Sequence, residues 1–120
     1  ALAAYLRTLS PPPSLLSARQ QQPGETVSRG ARVFRQQGCV DCHQPNRFTS
    51  PEIYDVGLQD RLGNRRFNPP SLLGVSQRSA LFHDGRAASV QDVLLGHRHG
   101  IAQDVSQTEI EELIDYLNSL

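Results

Sequence analysis

The chain has 120 residues, with 12 basic and 12 acidic side chains, and all of the basic residues are arginine. This balance excludes the strongly basic surface that general nucleic-acid binding requires. No apolar run approaches the roughly 18–20 residues of a membrane-spanning helix, so we expect neither a nucleic-acid-binding nor a transmembrane protein. The length suits one domain with a modest core, and the clustered, periodic apolar residues exclude a disordered chain.

The two ends of the chain carry the same apolar pattern. Leucine and tyrosine recur at identical spacings in two sets: Leu2, Tyr5, Leu6 and Leu9, and Leu113, Tyr116, Leu117 and Leu120. Such self-similarity is typical of a repeated unit. We therefore interpret residues 1–9 as the closing helix of a truncated upstream domain, residues 10–24 as a linker and residues 25–120 as the main domain. The alternative is an ordinary amphipathic helix at the N-terminus.

The first helix of the main domain is predicted from about residue 26 to residue 37, where Gly38 ends it. Its predicted buried face is formed at spacings of three and four by Val27, Gly30, Ala31 and Phe34. Residues 44–88 are rich in Pro, Gly, Asn and Ser and predict mostly irregular chain, with one short helix over 70–75. So long an irregular segment is unusual in a compact domain unless it wraps around something.

Two further helices are predicted near the C-terminus. One runs from about residue 90 to residue 95, with Ser89 as its cap. The other runs from about residue 107 to residue 119, where Ser106 and Glu109 form a Ser-x-x-Glu capping box. Its predicted buried stripe is formed by Ile110, Leu113, Ile114 and Leu117. No alternating strand pattern stands out, so the predicted fold class is mainly α, a helical domain with long loops.

The candidate site for chemistry is formed by Cys39, Cys42 and His43, and the chain has no other cysteine. Cys-x-x-Cys-His is the attachment signature of c-type haem. Its spacing lets two thiols reach the two vinyl groups along one edge of the macrocycle, and it places the following imidazole beneath the iron. We therefore predict one covalently attached haem c, with Cys39 and Cys42 as attachment sites and His43 as an iron ligand.

Three other interpretations of the motif stay open. A redox dithiol of the thioredoxin type would follow a strand and precede a helix, whereas here a helix is predicted before the motif. A zinc site could use both cysteines and two of His43, His97 and His99. It gives no reason, however, for His43 to follow Cys42 directly. The motif could also occur by chance.

The surroundings of the motif resemble the class I cytochrome c fold. In that fold the first and last helices cross near a glycine and an aromatic residue, and Gly30 and Tyr116 match those positions. Residues 68–75 (Asn-Pro-Pro-Ser-Leu-Leu-Gly-Val) and 81–90 (Leu-Phe-His-Asp-Gly-Arg-Ala-Ala-Ser-Val) resemble the C-terminal haem domain of the di-haem bacterial cytochrome c peroxidase family. The resemblance covers about residues 25–120. It implies a cytochrome c-like helical domain with long loops wrapped around one haem, preceded in its parent chain by a second haem domain.

The second iron ligand is not the methionine of the commonest cytochromes, because the chain has no Met. The resemblance implies a ligand fourteen residues after the His of Phe-His-Asp-Gly, and that spacing from His83 leads to His97. The helical period agrees, since one predicted face carries Val90, Val93, Leu94 and His97. His97 is therefore the predicted second ligand, with His99 or an open, water-bound site as the alternatives. We expect a structural role for His83.

Two functions are compatible with such a site. The first is a relay of single electrons through a low-spin haem with two histidine ligands, within a larger di-haem oxidoreductase. The second is a peroxidase-type enzyme, whose haem needs an open coordination site and a nearby acid–base group. In the family the C-terminal haem is usually the relay, so we expect electron transfer from this domain and any peroxidase-like activity from the parent chain. The expected partners are the upstream haem domain and a redox protein, in the bacterial periplasm or another extracytoplasmic compartment.

Overall fold

The computed structural model of the chain describes residues 1–10, 13–14 and 24–120. Most of the predicted linker, residues 10–24, lies outside the described residues. In chain order the elements are the helices α1 (Leu2–Thr8), α2 (Glu25–Gln36) and α3 (Cys39–Cys42), the strands β1 (Tyr54–Asp55) and β2 (Arg66–Phe67), a 3-10 turn (Val75–Gln77), a π-helical turn (Asp92–Gly96) and α4 (Gln107–Ser119). The fold is helical with little sheet, as predicted. None of the helices in these ranges is long and apolar enough to cross a membrane.

The frame of the domain is the crossing of α2 and α4. Gly30 lies at the crossing, and a Cβ built on it would overlap the backbone carbonyl of Glu112 and lie 2.7 Å from the Cβ of Tyr116. Only a residue without a side chain allows the two backbones to come this close. Beside the contact, the guanidinium of Arg29 donates a hydrogen bond to the Glu112 carboxylate. The predicted crossing near Gly30 and Tyr116 is confirmed.

The core lies between this crossing and the irregular segments that close over it. Its buried side chains come from most parts of the domain: Val33, Phe34, Val75, Leu81, Ala87, Val90, Leu94, Leu113 and Leu117. Phe34, Phe48 and Tyr116 add an aromatic cluster, with edge-to-face ring centroids 5.4–6.4 Å apart. Such pairs contribute about 0.5–1.5 kcal/mol beyond the burial of their area. The aromatic cluster joins the helix crossing to the chain that follows α3.

The start of α4 is set by a capping box. The Ser106 hydroxyl oxygen accepts a hydrogen bond from the Glu109 amide, and the Glu109 carboxylate accepts one from the Ser106 amide. Three of the four predicted core positions of this helix are buried: Ile110, Leu113 and Leu117. The capping box and the helix boundaries predicted from the sequence are both confirmed.

Residues 44–88 are mostly irregular, as predicted, but they also contain a small hairpin. Its two-residue strands, β1 and β2, pair in antiparallel fashion with Tyr54 opposite Phe67. The sequence shows no alternating pattern here, because strands of this length are too short to produce one. The hairpin is therefore a feature that only the structure reveals.

The short helix predicted over 70–75 is wrong. A 3-10 turn begins only at Val75, after Gly74 in a left-handed conformation with a φ of 66°. The physical reason is tertiary, because the Leu72 amide donates to the distant carbonyl of Phe48 at 3.3 Å instead of joining a helix. Local helix preference is a weak bias that such contacts overrule.

The helix predicted over 90–95 is present, but it is wider than an α-helix. Residues Asp92–Gly96 form a π-helical turn, in which the His97 amide donates to the carbonyl of Asp92 at 3.0 Å. At its start the Asp92 amide donates to the hydroxyl of Ser89, which acts as a cap. A π-helical turn contains more residues than an α-helical turn. Residues after it therefore no longer lie on the helix face that the α-helical period predicts for them.

Helix α1 forms, but none of its residues is buried. Its apolar side chains are 52–69% exposed at Leu2, Tyr5, Leu6 and Leu9. In α4, by contrast, the matching Leu113 and Leu117 are buried. The repeated pattern therefore forms two helices, and within the described residues only α4 has its apolar face buried against other parts of the chain.

A methyl group at Gly30 should push α2 away from α4. We expect Gly30→Ala to lower the free energy of unfolding by about 1–3 kcal/mol or more, the usual cost of overpacking, because the new Cβ meets backbone. Denaturant unfolding of the purified chain measures this. Arg32→Ala, on the exposed surface of the same helix, is the control, with an expected change within about 0.5 kcal/mol. Equal stability of the two variants would show that the helices do not touch here.

Candidate haem site

Gly38 and α3 position the two cysteines of the motif. Gly38 has a φ of 73°, which ends α2 and turns the chain directly into the single helical turn Cys39–Cys42. Three residues apart in that turn, Cys39 and Cys42 share one side of it, and both thiols are free. Burial raises the pKa of Cys39 to about 11 and also raises the pKa of Cys42. Both thiols are therefore protonated at neutral pH, unlike the low-pKa thiol of a redox dithiol.

His43 follows α3 with one ring nitrogen already bound to the protein. Its Nδ1 donates a hydrogen bond to the backbone carbonyl oxygen of Phe48 at 3.0 Å, and the Leu72 amide donates to the same oxygen. Burial lowers the pKa of His43, so the imidazole is neutral and its Nε2 carries the lone pair. A carbonyl that accepts from one nitrogen fixes the tautomer and the ring orientation for metal binding by the other.

Segment 68–72, part of the sequence that resembles the peroxidase family, binds the chain that follows the motif. Thr49 donates its hydroxyl to the Pro69 carbonyl at 2.5 Å. Ser71 donates its hydroxyl to the Arg47 carbonyl, also at 2.5 Å. These bonds hold in place the backbone that orients the motif histidine.

Two more histidines come together at the end of the π-helical turn. The rings of His97 and His99 both contact Phe82 edge-to-face, with centroid distances of 5.2 and 5.6 Å. The Nδ1 atom of His99 is buried and has no hydrogen-bond partner within the described part of the chain. Burial lowers the pKa of His99, and a protonated His43 would lower it further.

Strained backbone is concentrated at this site. Among the described residues, three of the four non-glycine positions with positive φ lie at or beside its groups: Phe48 (50°), Phe82 (63°) and Arg98 (51°), which stands between the two histidines. The conformation is uncommon for a bulky residue and costs about 1–3 kcal/mol. Sequence reasoning missed Phe48 and Phe82, because nothing in a phenylalanine indicates a left-handed backbone. The available signal for Phe82 was its place beside His83 in the Phe-His-Asp-Gly element.

His83 packs against the β1–β2 hairpin and not against the ring of Phe82. Its ring stacks on Phe67 with a centroid distance of 4.3 Å, and its Nε2 lies 3.2 Å from a carboxylate oxygen of Asp60. These contacts join the Phe-His-Asp-Gly element to the β1–β2 hairpin. They favour the structural role expected for this histidine.

The geometry does not favour the alternatives to haem. The element before the motif is helix α2, where a thioredoxin-type dithiol would follow a strand. Within residues 1–10, 13–14 and 24–120, no group of three or more His, Cys, Asp or Glu side chains is placed to hold a metal ion. A zinc site built from both cysteines and two histidines would need such a group.

Comparison with known proteins agrees with this site. Residues 32–119 match the family described as di-haem cytochrome c peroxidase. The methylamine utilization protein MauG of Methylorubrum extorquens is 27% identical over 150 aligned positions, which take in 100% of this chain and 42% of MauG. The chain thus spans less than half the length of this relative.

A solved structure of hydrazine synthase from Kuenenia stuttgartiensis, pressurised with xenon, contains the same fold. Its chain superposes with a TM-score of 0.77 at 22% identity, over 97% of this chain and 52% of the other. Together with the match over residues 32–119, these findings support the resemblance carried by the motif and by segments 68–75 and 81–90. The chain belongs to the di-haem cytochrome c peroxidase family.

Proposed function

We propose that residues 25–120 form a c-type cytochrome domain that passes single electrons within a larger di-haem oxidoreductase. Haem c, when bound, supplies an iron that alternates between the ferric and ferrous states. Cys39 and Cys42 form the covalent links to it, and His43 is its first protein ligand. The observation that carries this proposal is a neutral imidazole, anchored on a carbonyl, directly after a turn that presents two thiols.

The residues around the motif fit such a group. Several apolar side chains pack against the core but stay half-exposed: Val40, Phe48, Leu72, Phe82, Val93 and Ile101. Side chains of this kind offer an apolar surface to a macrocycle and exclude water from its iron. The domain thus holds apolar surface beside its thiols and imidazoles, which is what a covalently attached haem needs.

Two imidazole ligands favour electron transfer over peroxide chemistry. Both His97 and His99 contact the ring of Phe82, and His97 is the member of this pair predicted from the spacing. A second imidazole fills the coordination position that a peroxidase must leave open. Imidazole also stabilises ferric iron better than a thioether does, so the reduction potential should lie below that of cytochromes with His and Met ligands.

We further assign this domain to the C-terminal part of its parent chain. Residues 1–9 would close a cytochrome c-like domain upstream, because the apolar pattern of α1 is exposed here and is buried in α4. The upstream domain would carry the second haem and any peroxidase-like activity. Covalent haem attachment takes place outside the bacterial cytoplasm, so we place the protein in the periplasm, with a redox protein as its electron partner.

Covalent attachment is the first expected result. Intact mass spectrometry of chain produced with a haem-maturation system should show one added haem that survives acid denaturation, because thioether bonds do not dissociate. Cys39→Ser combined with Cys42→Ser should remove the added mass. A haem that is extracted into acidified organic solvent from the unsubstituted chain would contradict the assignment.

The second expected result is a low-spin iron. With two imidazole ligands, the ferric protein should show a low-spin absorption and electron paramagnetic resonance spectrum, and the ferrous protein should bind carbon monoxide slowly or not at all. A high-spin ferric spectrum with rapid carbon monoxide binding would instead support the alternative function, a peroxidase-type domain with an open coordination site.

The matched leucines of the repeat test whether α1 belongs to this domain. Leu113 is fully buried in α4, so Leu113→Ala should cost about 2–5 kcal/mol of unfolding free energy. Its counterpart Leu2 is 69% exposed, so Leu2→Ala should change stability by less than about 0.5 kcal/mol. Thermal and denaturant unfolding of the two haem-loaded variants gives the comparison. Similar losses in both would place α1 in this core and refute its assignment to a neighbouring domain.

A further inference from the structure

The π-helical turn shifts the backbone hydrogen bond of His97 by one residue and that of His99 by two. In an α-helix the carbonyl of Val93 would accept the amide of residue 97. Here the His97 amide donates to Asp92 instead, and the Val93 carbonyl accepts the amide of His99 at 3.2 Å. The amide of His99 thus bonds the carbonyl that a regular α-helix would offer to the amide of His97.

Hydrogen bonds on both sides of His99 hold the chain in this register. Arg98 has a left-handed φ of 51° and Gly100 one of 67°. The Arg98 guanidinium donates to the Ala102 carbonyl at 2.7 Å, and the Gln37 side chain accepts the Ala102 amide at 3.1 Å. Because Gln37 lies at the end of α2, directly before the Cys-x-x-Cys-His motif, the second bond ties the turn to the attachment side of the domain.

One ring nitrogen of His99 has no hydrogen-bond partner in the described part of the fold. Its Nδ1 is the one buried side-chain nitrogen or oxygen without a hydrogen bond among the described residues. A buried, unpaired group of this kind costs about 1–3 kcal/mol. The edge of Phe82 restricts the orientation of the ring. The His97 ring contacts Phe82 as well, but it has no buried unpaired nitrogen.

We propose that His99, rather than His97, would be the second iron ligand, together with His43. This inference rests on the proposed haem function and identifies the side chain that would complete the coordination of the iron. The helical period that agrees with His97 assumes an α-helical path from Val90 onward. The wide turn at Asp92–Gly96 breaks that assumption, since it adds residues before the histidines are reached.

Alanine variants of the two histidines, in the full haem-loaded chain, provide the test. His99→Ala should convert the ferric haem from low to high spin, and its ferrous form should go from almost no carbon monoxide binding to nearly full occupancy. Added imidazole should restore the low-spin spectrum of this variant. His97→Ala is the matched control and should stay low-spin and closed to carbon monoxide. Ferric absorption and electron paramagnetic resonance spectra report the spin state.

A second pair of variants provides the test if the His99→Ala protein does not fold. His99→Met keeps a side chain able to bind iron, so the haem should stay six-coordinate while its reduction potential rises. His97→Met should leave the potential unchanged. A potential raised only by His97→Met would assign the ligand to His97 and overturn the inference.

The other outcomes separate this inference from the function on which it rests. A high-spin His97→Ala with an unchanged His99→Ala, or a high-spin state only in the double variant, overturns the inference and leaves the electron relay intact. A haem that is attached but high-spin in the unsubstituted chain overturns the relay and the inference together. A chain that takes up no covalent haem overturns the whole proposed function, and His99 with it.

Discussion

The contact of two helix backbones at Gly30 is the constraint on which the domain depends. Because Gly30 has no side chain, α4 lies directly on α2, and Tyr116 comes close enough to join the rings of Phe34 and Phe48. Phe48 in turn provides the carbonyl on which the ring of His43 is oriented. The orientation of the His43 ring, whose Nε2 we propose to bind iron, therefore depends on a helix contact remote from it. This dependence explains how a short motif in a loop-rich chain acquires a defined geometry.

The regular frame supports a site made of irregular backbone. Phe48, Phe82 and Arg98 each adopt a left-handed conformation that costs free energy locally. Phe48 and Phe82 contact the histidines of the site, and Arg98 lies between two of those histidines. Such strain persists only where surrounding contacts determine it. For Arg98 the determining contact is its own bond to the Ala102 carbonyl. For Phe48 it is the shared bonding of its carbonyl to His43 and to the Leu72 amide.

How far the sequence predicts this structure depends on the range of the interaction involved. The capping box of Ser106 follows a short-range rule, so α4 was predictable from it. The Cys-x-x-Cys-His motif identified the candidate residues but did not predict the helical turn α3 that carries both cysteines. The crossing at Gly30 needed the resemblance to a known fold. The π-helical turn at Asp92–Gly96 and the left-handed backbone of Phe82 have no signal in the residue pattern, because neither conformation is preferred by the residues that adopt it. The ligand that we propose depends on that turn, so counting along a regular helix does not identify it.

The wide turn also changes what an evolutionary comparison of such domains can show. If backbone hydrogen bonding decides which of two nearby histidines takes the inward position, the identity of the iron ligand depends on the backbone conformation as much as on the sequence. A short insertion or deletion between Asp92 and Arg98 would then exchange the inward side chain while leaving α2, α4 and the cysteine motif unaltered. Loops tolerate such length changes far better than cores do. Homologues with the same residues in aligned columns can therefore differ in their iron ligand, and the redox potential can diverge without any substitution at the site.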